Sequence, residues 1–226
     1  MVLADDNFAT IVDAVQEGRH IFDNIRKFLR YLLSSNMGEV LTVFLGVIGA
    51  GVVGLADAGG GELVLPLLAT QILWINLITD SGPALAMGVD PETDDVMARP
   101  PRKSTEHAID AQMWRSVIAL GLVMALATLL TMDLYLPGGF IEGSHSLERA
   151  RTAGFTVLVF AQLFNCFNAR SESTSAFSHL FVNKWLWVAV GLSIALQIAV
   201  VNVSFLNAAF GTCLLYTSPS PRDQRG

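Results

Sequence analysis

Two acidic residues lie inside apolar stretches of this sequence with no basic residue nearby to neutralise them. Glu39 falls within the apolar run 31–56, Asp80 falls within the run 63–87, and residues 31–98 contain no Lys or Arg. An ionised carboxylate inside a bilayer is costly and normally needs a partner. We therefore expect that partner to be a bound cation, a proton, or a base from another part of the protein, and the pattern indicates cation transport.

Neutral oxygen-bearing side chains accompany the two acids. Asn36 stands three residues before Glu39, so both lie on one helix face, and Asn76, Thr79 and Asp80 at i, i+3 and i+4 share another. At a rise of 1.5 Å per residue, Glu39 lies about 13 Å along its helix from the membrane surface and Asp80 about 12 Å along its own. Both distances are measured from the same face of the membrane if the two helices are antiparallel. That depth is near the middle of a hydrocarbon core about 30 Å thick.

This donor set suits a hard divalent cation. Two carboxylates balance a dehydrated divalent ion, and amide and hydroxyl oxygens help to complete the shell of about six to eight oxygens that Ca²⁺ accepts. Mg²⁺ prefers a tight octahedron and keeps its waters, and the absence of soft ligands disfavours copper and zinc. The alternative is that these polar side chains pair with one another across helices as packing contacts.

Two further features bear on the same site. In the run 152–169, Gln162 is placed to add an oxygen to the cavity, whereas Asn165 and Asn168 suit helix packing. The pair Gly82–Pro83 follows Asp80 at once. Because proline lacks a backbone donor, it frees carbonyl groups, which are tolerated at membrane depth where they line a cavity and can coordinate cations.

The composition is that of a membrane protein. Hydrophobic residues make up 52% of the 226 residues and charged residues only 15%, against about 25% charged in a typical soluble domain. The mean hydropathy is +0.51, and a net charge of −6 does not indicate nucleic-acid binding. Because a span needs about 20 apolar residues, the sequence predicts an all-α, multi-span helical bundle with five spans, at 31–56, 63–87, 112–136, 152–169 and 184–206.

Basic residues cluster on one side of the predicted spans, which sets the expected topology. Loops rich in Lys and Arg remain in the cytoplasm. This rule places residues 1–30, 88–111 and 170–183 in the cytoplasm, and 57–62 and 137–151 outside. Residues 1–30 have the apolar spacing of an amphipathic helix that runs into the first span.

The polar segments also carry a resemblance to a known family. YLLSSNMGE (31–39) and LWINLITD (73–80) closely resemble the fifth and sixth transmembrane helices of type II P-type ATPases, above all calcium pumps of the sarcoplasmic-reticulum kind and their bacterial relatives. MVLADDNF (1–8) resembles the closing stretch of that family's phosphorylation domain, and DVMARPPR (95–102) its loop between helices six and seven. The resemblance covers about residues 1–205.

The resemblance implies roles for the candidate residues. Gln162 stands where the two-site sarcoplasmic-reticulum pump has a glutamate in its eighth helix, a departure that implies one calcium per cycle. The sodium/potassium pumps carry an aspartate at the position of Asn76, so the amide disfavours that branch. The residues that match the family's calcium ligands are Asn36, Glu39, Asn76, Thr79 and Asp80.

By the same resemblance, the chain corresponds to the carboxyl-terminal portion of a pump. It lacks the family's Asp-Lys-Thr-Gly-Thr phosphorylation motif and its Thr-Gly-Asp-Gly-x-Asn-Asp segment, so it carries no catalytic residue. Ca²⁺ is then the transported ion, and ATP and Mg²⁺ are used by the parent protein only. The expected partners are the lipid bilayer and the amino-terminal part of the same pump, in a monomer of the bacterial plasma membrane.

The expected organisation has three parts. Residues 1–30 form the end of the phosphorylation domain and a stalk helix, and 31–210 form the transmembrane domain. Residues 211–226 are polar and rich in Pro and Ser, and they resemble translated sequencing-adapter read-through rather than a native terminus. The alternative for them is a natural disordered tail.

The expected function is ATP-driven export of Ca²⁺ by the parent protein. One alternative keeps the family and changes the ion to Mn²⁺ or a monovalent cation. Another is a proton-coupled secondary carrier that uses Glu39 and Asp80 as relays, which predicts an inverted repeat. The last is an inert truncated fragment.

Overall fold

The structure is a computed structural model, and it describes residues 8–60, 64–91, 97–98, 108–141, 143, 146–170 and 181–213. Three features named above lie wholly or mostly outside the described residues. They are the segment 1–8, the segment 95–102 and residues 214–226 of the expected tail.

All of the regular secondary structure in the described part of the chain is helical, which confirms the all-α prediction. A π-helical turn, Ile75–Thr79, joins the third helix to the fourth. The helices are α1 (Phe8–Ile48), α2 (Leu55–Ala58), α3 (Ala69–Trp74), α4 (Ser81–Gly88), α5 (Ala111–Tyr135), α6 (Leu147–Ala169), α7 (Lys184–Asn202) and α8 (Ser204–Phe210).

Four of these helices are long and apolar enough to cross a membrane, namely α1, α5, α6 and α7. The apolar run 63–87 does not form one regular helix, because the π-helical turn divides it into α3 and α4. By contrast α1 continues unbroken for 41 residues, through the expected boundary at residue 30. At 1.5 Å per residue it is about 60 Å long, twice the thickness of a hydrocarbon core.

The helices pack around a common hydrophobic core, and α1 and α6 lie at its centre. α1 contacts α5, α4 and α6, while α5 also packs against α6 and α4 packs against α7. Fully buried side chains from several of these helices fill the core, among them Tyr31, Ile75, Met87, Phe155 and Leu158. This arrangement brings the interrupted helix, α3 to α4, against the middle of α1.

A glycine permits the closest approach between α1 and α5. A Cβ atom at Gly121 would lie 2.7 Å from Cγ of Met37 and 3.1 Å from the backbone nitrogen of Gly38. Small residues at such crossings let two helix backbones approach closely. The crossing is next to Glu39 in sequence, so it fixes α1 at the level of that acid.

Candidate cation site

Glu39 on α1 faces the interrupted helix in the interior of the bundle. Its side chain and that of Asp80 are 3% and 1% exposed, respectively, and Thr79 is 1% exposed. Both acids are buried where α1 contacts the interrupted helix, since Glu39 contacts Asn76 and Asp80 contacts Tyr31. Neither acid forms an ion pair with a basic side chain within the described residues.

Two amides from different helices contact the carboxylate of Glu39. Nδ2 of Asn76 donates to Oε2 at 2.6 Å, and Nε2 of Gln162 on α6 donates to Oε1 at 3.1 Å. Gln162 is fully buried. Three separate elements thus converge on one carboxylate, and each of its oxygens accepts a hydrogen bond from a neutral donor.

Asp80 is tied to α1 by one hydrogen bond. The hydroxyl of the fully buried Tyr31 donates to Oδ1 at 2.8 Å. The other oxygen, Oδ2, is buried and has no hydrogen-bond partner in the described part of the chain. Buried polar atoms are nearly always paired, so an orphaned carboxylate oxygen indicates a missing partner such as an ion or water.

The backbone beside Asp80 departs from the regular helix. The N–H of Asp80 donates to the carbonyl of Ile75 at 2.9 Å, five residues back rather than four. Such π-helical turns occur frequently at functional sites. The irregularity places Asn76, Thr79 and Asp80 together at the interruption.

Proline explains why a carbonyl group near this turn is available to another helix. Pro83 has no N–H, so it cannot donate to the carbonyl of Thr79 four residues earlier. Oγ of Ser193 on α7 donates to that carbonyl instead, at 3.4 Å. The carbonyl group that the pair Gly82–Pro83 was expected to free is therefore that of Thr79.

Asn36 lies apart from the contacts around Glu39. Its side chain is exposed, and it lines a groove of about 700 Å³ between α1 and α4 together with Asn76 and Ser81. No hydrogen bond between described residues joins Asn36 to Glu39. A ligand role for Asn36 therefore requires its side chain to turn from the groove towards the acid.

The donor set is made of oxygen atoms. No cluster of three or more His, Cys, Asp or Glu side chains occurs in the part of the chain that the structure describes. Besides Asp80, buried oxygens of Gln162 and Ser35 have no hydrogen-bond partner among the residues that the structure describes. Two carboxylates and several unpaired neutral oxygens fit a hard cation better than a soft one.

Sequence reasoning did not select Tyr31, Ser35 or Ser193 for the site. Tyr31 stands eight residues before Glu39, a spacing that belongs to the same broad stripe of a helix, so that signal was present. Ser35 is beside Asn36 in sequence. Ser193 lies in an apolar run with no local signal, and only the packing of α7 on α4 reveals its contact.

Comparison with known protein families gives a match over most of the chain. The family model described as "Cation transporting ATPase, C-terminus" matches residues 64–219. The matched region contains the interrupted helix, α5, α6, α7 and α8.

Several curated proteins are similar to the chain over almost its whole length. The "Calcium-transporting ATPase" of Bacillus subtilis (strain 168) is 41% identical over 213 residues, covering 94% of this chain and 22% of the relative. "Calcium-transporting ATPase 2, endoplasmic reticulum-type" of Arabidopsis thaliana is 33% identical over 265 residues, covering 93% and 24%. "Calcium-transporting ATPase 1" of Yarrowia lipolytica is 36% identical, covering 94% and 21%. The chain thus spans less than a quarter of the length of these relatives.

Proposed function

This chain belongs to the family of cation-transporting ATPases, whose carboxyl-terminal region it matches, and on that premise we propose that it supplies part of the ion site of an ATP-driven pump that exports Ca²⁺ from the cytoplasm. The observation that carries the proposal is the pair of buried acids, Glu39 and Asp80, which lie where α1 contacts the interrupted helix and form no ion pair with a basic side chain among the described residues. Such a pair needs positive charge to be stable in a membrane.

The hydrogen-bonding pattern supports a cation as the source of that charge. Glu39 accepts N–H groups from Asn76 and Gln162, which are weak substitutes for a positive ion. One carboxylate oxygen of Asp80 has no hydrogen-bond partner within the described ranges of the chain. We propose that Ca²⁺ binds between the two carboxylates, and that the two amides rotate to present their oxygens as the ion displaces their N–H groups.

The complete proposed ligand set joins charged and neutral oxygens. Ca²⁺ accepts a flexible shell of about six to eight oxygens, and the six side chains offer enough groups for most of one such shell. This favours one ion per cycle. The proposed ligands are Asn36, Glu39, Asn76, Thr79, Asp80 and Gln162.

The choice of Ca²⁺ rests on ligand chemistry and on the relatives. All the proposed ligands carry hard oxygen donors, and the curated relatives are named calcium-transporting ATPases. Mn²⁺ also accepts carboxylate and carbonyl oxygens. Titration of phosphoenzyme formation with Ca²⁺, Mn²⁺, Na⁺ and K⁺ separates these ions.

The chemistry of ATP lies elsewhere in the proposed pump. The 226 residues contain no Asp-Lys-Thr-Gly-Thr motif, and they cover 21–24% of the three relatives. We propose that ATP and Mg²⁺ act in an amino-terminal part of the same polypeptide, and that α1 and the segment 88–111 couple that part to the ion site. In this arrangement, the amino-terminal end of α1 lies in the cytoplasm of a bacterial cell.

The test uses a full-length pump, made by joining this chain to the amino-terminal part of the Bacillus subtilis relative. Glu39→Gln and Asp80→Asn each remove one charge with little change in shape. We expect each variant to lose Ca²⁺-dependent phosphorylation by ATP, because a single carboxylate balances only half the charge of the ion. Phosphoenzyme is measured with radiolabelled ATP across a Ca²⁺ titration.

Asp133→Asn is the matched control. Asp133 is also a buried acid on a long apolar helix, 3% exposed, but its oxygens accept the N–H groups of Phe140 and Ile141 in the following loop. The Ca²⁺ dependence of phosphorylation in the Asp133→Asn variant should equal that of the unmodified pump. Unchanged Ca²⁺ dependence in both Glu39→Gln and Asp80→Asn would refute the proposed site.

A further inference from the structure

Asp90, just beyond the end of α4, is the centre of a buried charge cluster. Its side chain is 1% exposed, and its Oδ2 lies 2.7 Å from Nζ of Lys27 on α1. Its Oδ1 lies 3.1 Å from Nη2 and 3.2 Å from Nε of Arg170, directly after α6. Nδ2 of Asn183, the N-cap of α7, donates to the same Oδ1 at 2.9 Å. We call these four residues the Asp90 cluster.

The cluster holds the backbone of α4 as well as the carboxylate. The last carbonyls of any helix lack partners within that helix. Here Nδ2 of Asn183 donates to the carbonyl of Ala86 at 2.8 Å, and Nδ2 of Asn24 on α1 donates to the carbonyl of Asp90 at 3.0 Å. The end of α4 is therefore bound to α1, α6 and α7 by both its backbone and a charged side chain.

We propose that Asp90 is a positioning residue for the ion site. This proposal rests on the function proposed above. α4 is a short helix that joins Asp90 to Asp80, and the π-helical turn precedes Asp80. Because that turn interrupts the helix, α3 does not rigidly fix the position of Asp80. Its position relative to Glu39 is set by α4, which Tyr31 holds at one end and Asp90 at the other.

The charge balance of the cluster explains why the carboxylate matters. One acid lies between two cations, Lys27 and Arg170, whose side chains are 15% and 8% exposed. Without that acid the two cations repel each other in a poorly hydrated region. The middle of α1, at Lys27, and the end of α6, at Arg170, are then pushed apart, and the end of α4 loses its anchor to both.

Asp90→Asn in the full-length pump tests the proposal. The variant keeps the shape of the side chain and removes its charge. We expect the Ca²⁺ concentration for half-maximal phosphoenzyme to rise about tenfold, as for residues that orient metal ligands. The maximal phosphoenzyme level and the ATP dependence should stay unchanged, whereas simple misfolding would lower the maximum. Asp90→Glu restores the charge and should recover most of the Ca²⁺ response.

Asp110→Asn is the matched control. Asp110 pairs with Arg26, the neighbour of Lys27, at 3.0 Å, but this acid lies at the start of α5, and its ion pair and cap bond join it to α1 and α5 rather than to α4. Its main structural role is to accept the N–H of Met113 as an N-cap, and Asn caps as well as Asp does. Its Ca²⁺ midpoint should match the unmodified pump. A Ca²⁺ midpoint that does not move in Asp90→Asn, or that moves equally in Asp110→Asn, would overturn the proposal.

A distance measurement separates this proposal from the transport function. Spin labels at Leu85 on α4 and Val123 on α5, both exposed in the described chain, report the position of α4 in a cysteine-free full-length pump. We expect a broader distribution of label-to-label distances in Asp90→Asn than in Asp110→Asn. This difference should be the same whichever ion the pump carries. Identical distributions in the two variants would refute the positioning role. If the distribution is broader in Asp90→Asn but the unmodified full-length pump does not respond to Ca²⁺, the transport proposal alone is refuted.

Discussion

The hydroxyl of Tyr31 donates the one hydrogen bond that the carboxylate of Asp80 receives from the described residues, at 2.8 Å to Oδ1. Both side chains are almost completely buried. The bond joins α1 to the interrupted helix close to Glu39, and Oδ2 of Asp80 has no partner in the described part of the protein. Tyr31 therefore stabilises a carboxylate that is otherwise unsatisfied in the absence of an ion.

Tyr31→Phe should destabilise the ion-free protein more than the ion-bound protein. A hydrogen bond to a charged group contributes about 1.5–3 kcal/mol, and a bound cation would supply the partner that the variant lacks. We expect a lower thermal unfolding midpoint in the presence of a Ca²⁺ chelator, and a smaller difference from the unmodified pump at saturating Ca²⁺. Equal losses under the two conditions would contradict a cation partner for Asp80.

Pro83→Ala should weaken ion binding without harming the fold. Alanine provides an N–H that is placed to donate to the carbonyl of Thr79, which now accepts from Ser193. That donation would make the helix more regular at the site, so we expect the Ca²⁺ midpoint of phosphoenzyme formation to rise about tenfold. Ser193→Ala is the companion variant, because it removes the present donor but keeps the interruption. If the Ca²⁺ midpoint of Pro83→Ala equals that of the unmodified pump, the interruption of the helix is unimportant for ion binding.

Gly121→Ala should destabilise the bundle at the crossing of α1 and α5. The added Cβ would lie 2.7 Å from Cγ and 2.9 Å from Cβ of Met37, and the second of these atoms cannot rotate away. Overpacking of this kind costs about 1–3 kcal/mol, which a thermal unfolding curve in detergent measures. Gly191→Ala on α7 is the control, because its Cβ would meet nothing within 4 Å. Equal midpoints for the two variants would contradict a tight crossing at Gly121.

The helices and the meeting of Glu39 with Asn76 follow from the sequence for simple physical reasons. Apolar runs of this length in a chain with few charges form helices, because a bilayer leaves backbone groups no other partner. Depth along two antiparallel helices is fixed by the rise per residue, so Glu39 and Asp80 were expected at one level. The structure places both acids in the same buried region.

Rotation about the helix axis and long-range contacts were less predictable. A three-residue spacing puts Asn36 on the broad face of Glu39, yet a small angular offset leaves it in the groove. The pair Gly82–Pro83 indicated an interruption, but the π-helical turn at Ile75–Thr79 depends on what packs against it. The partners of Asp90 lie 63 to 93 residues away in sequence, so no local pattern could join them.

The unequal construction of the two helices that carry the acids has a mechanical consequence. α1 is continuous for 41 residues, so an axial push or twist applied at its amino-terminal end reaches Glu39 almost undiminished. Asp80 lies on a separate helix after the π-helical turn Ile75–Thr79, and side-chain contacts from Tyr31 and Lys27 tie that helix to α1, so the same push reaches Asp80 through contacts softer than a continuous helix. We therefore expect a force on α1 to move Glu39 further than Asp80, and in the proposed site that change in the separation of the two carboxylates would open or close the coordination shell of the ion.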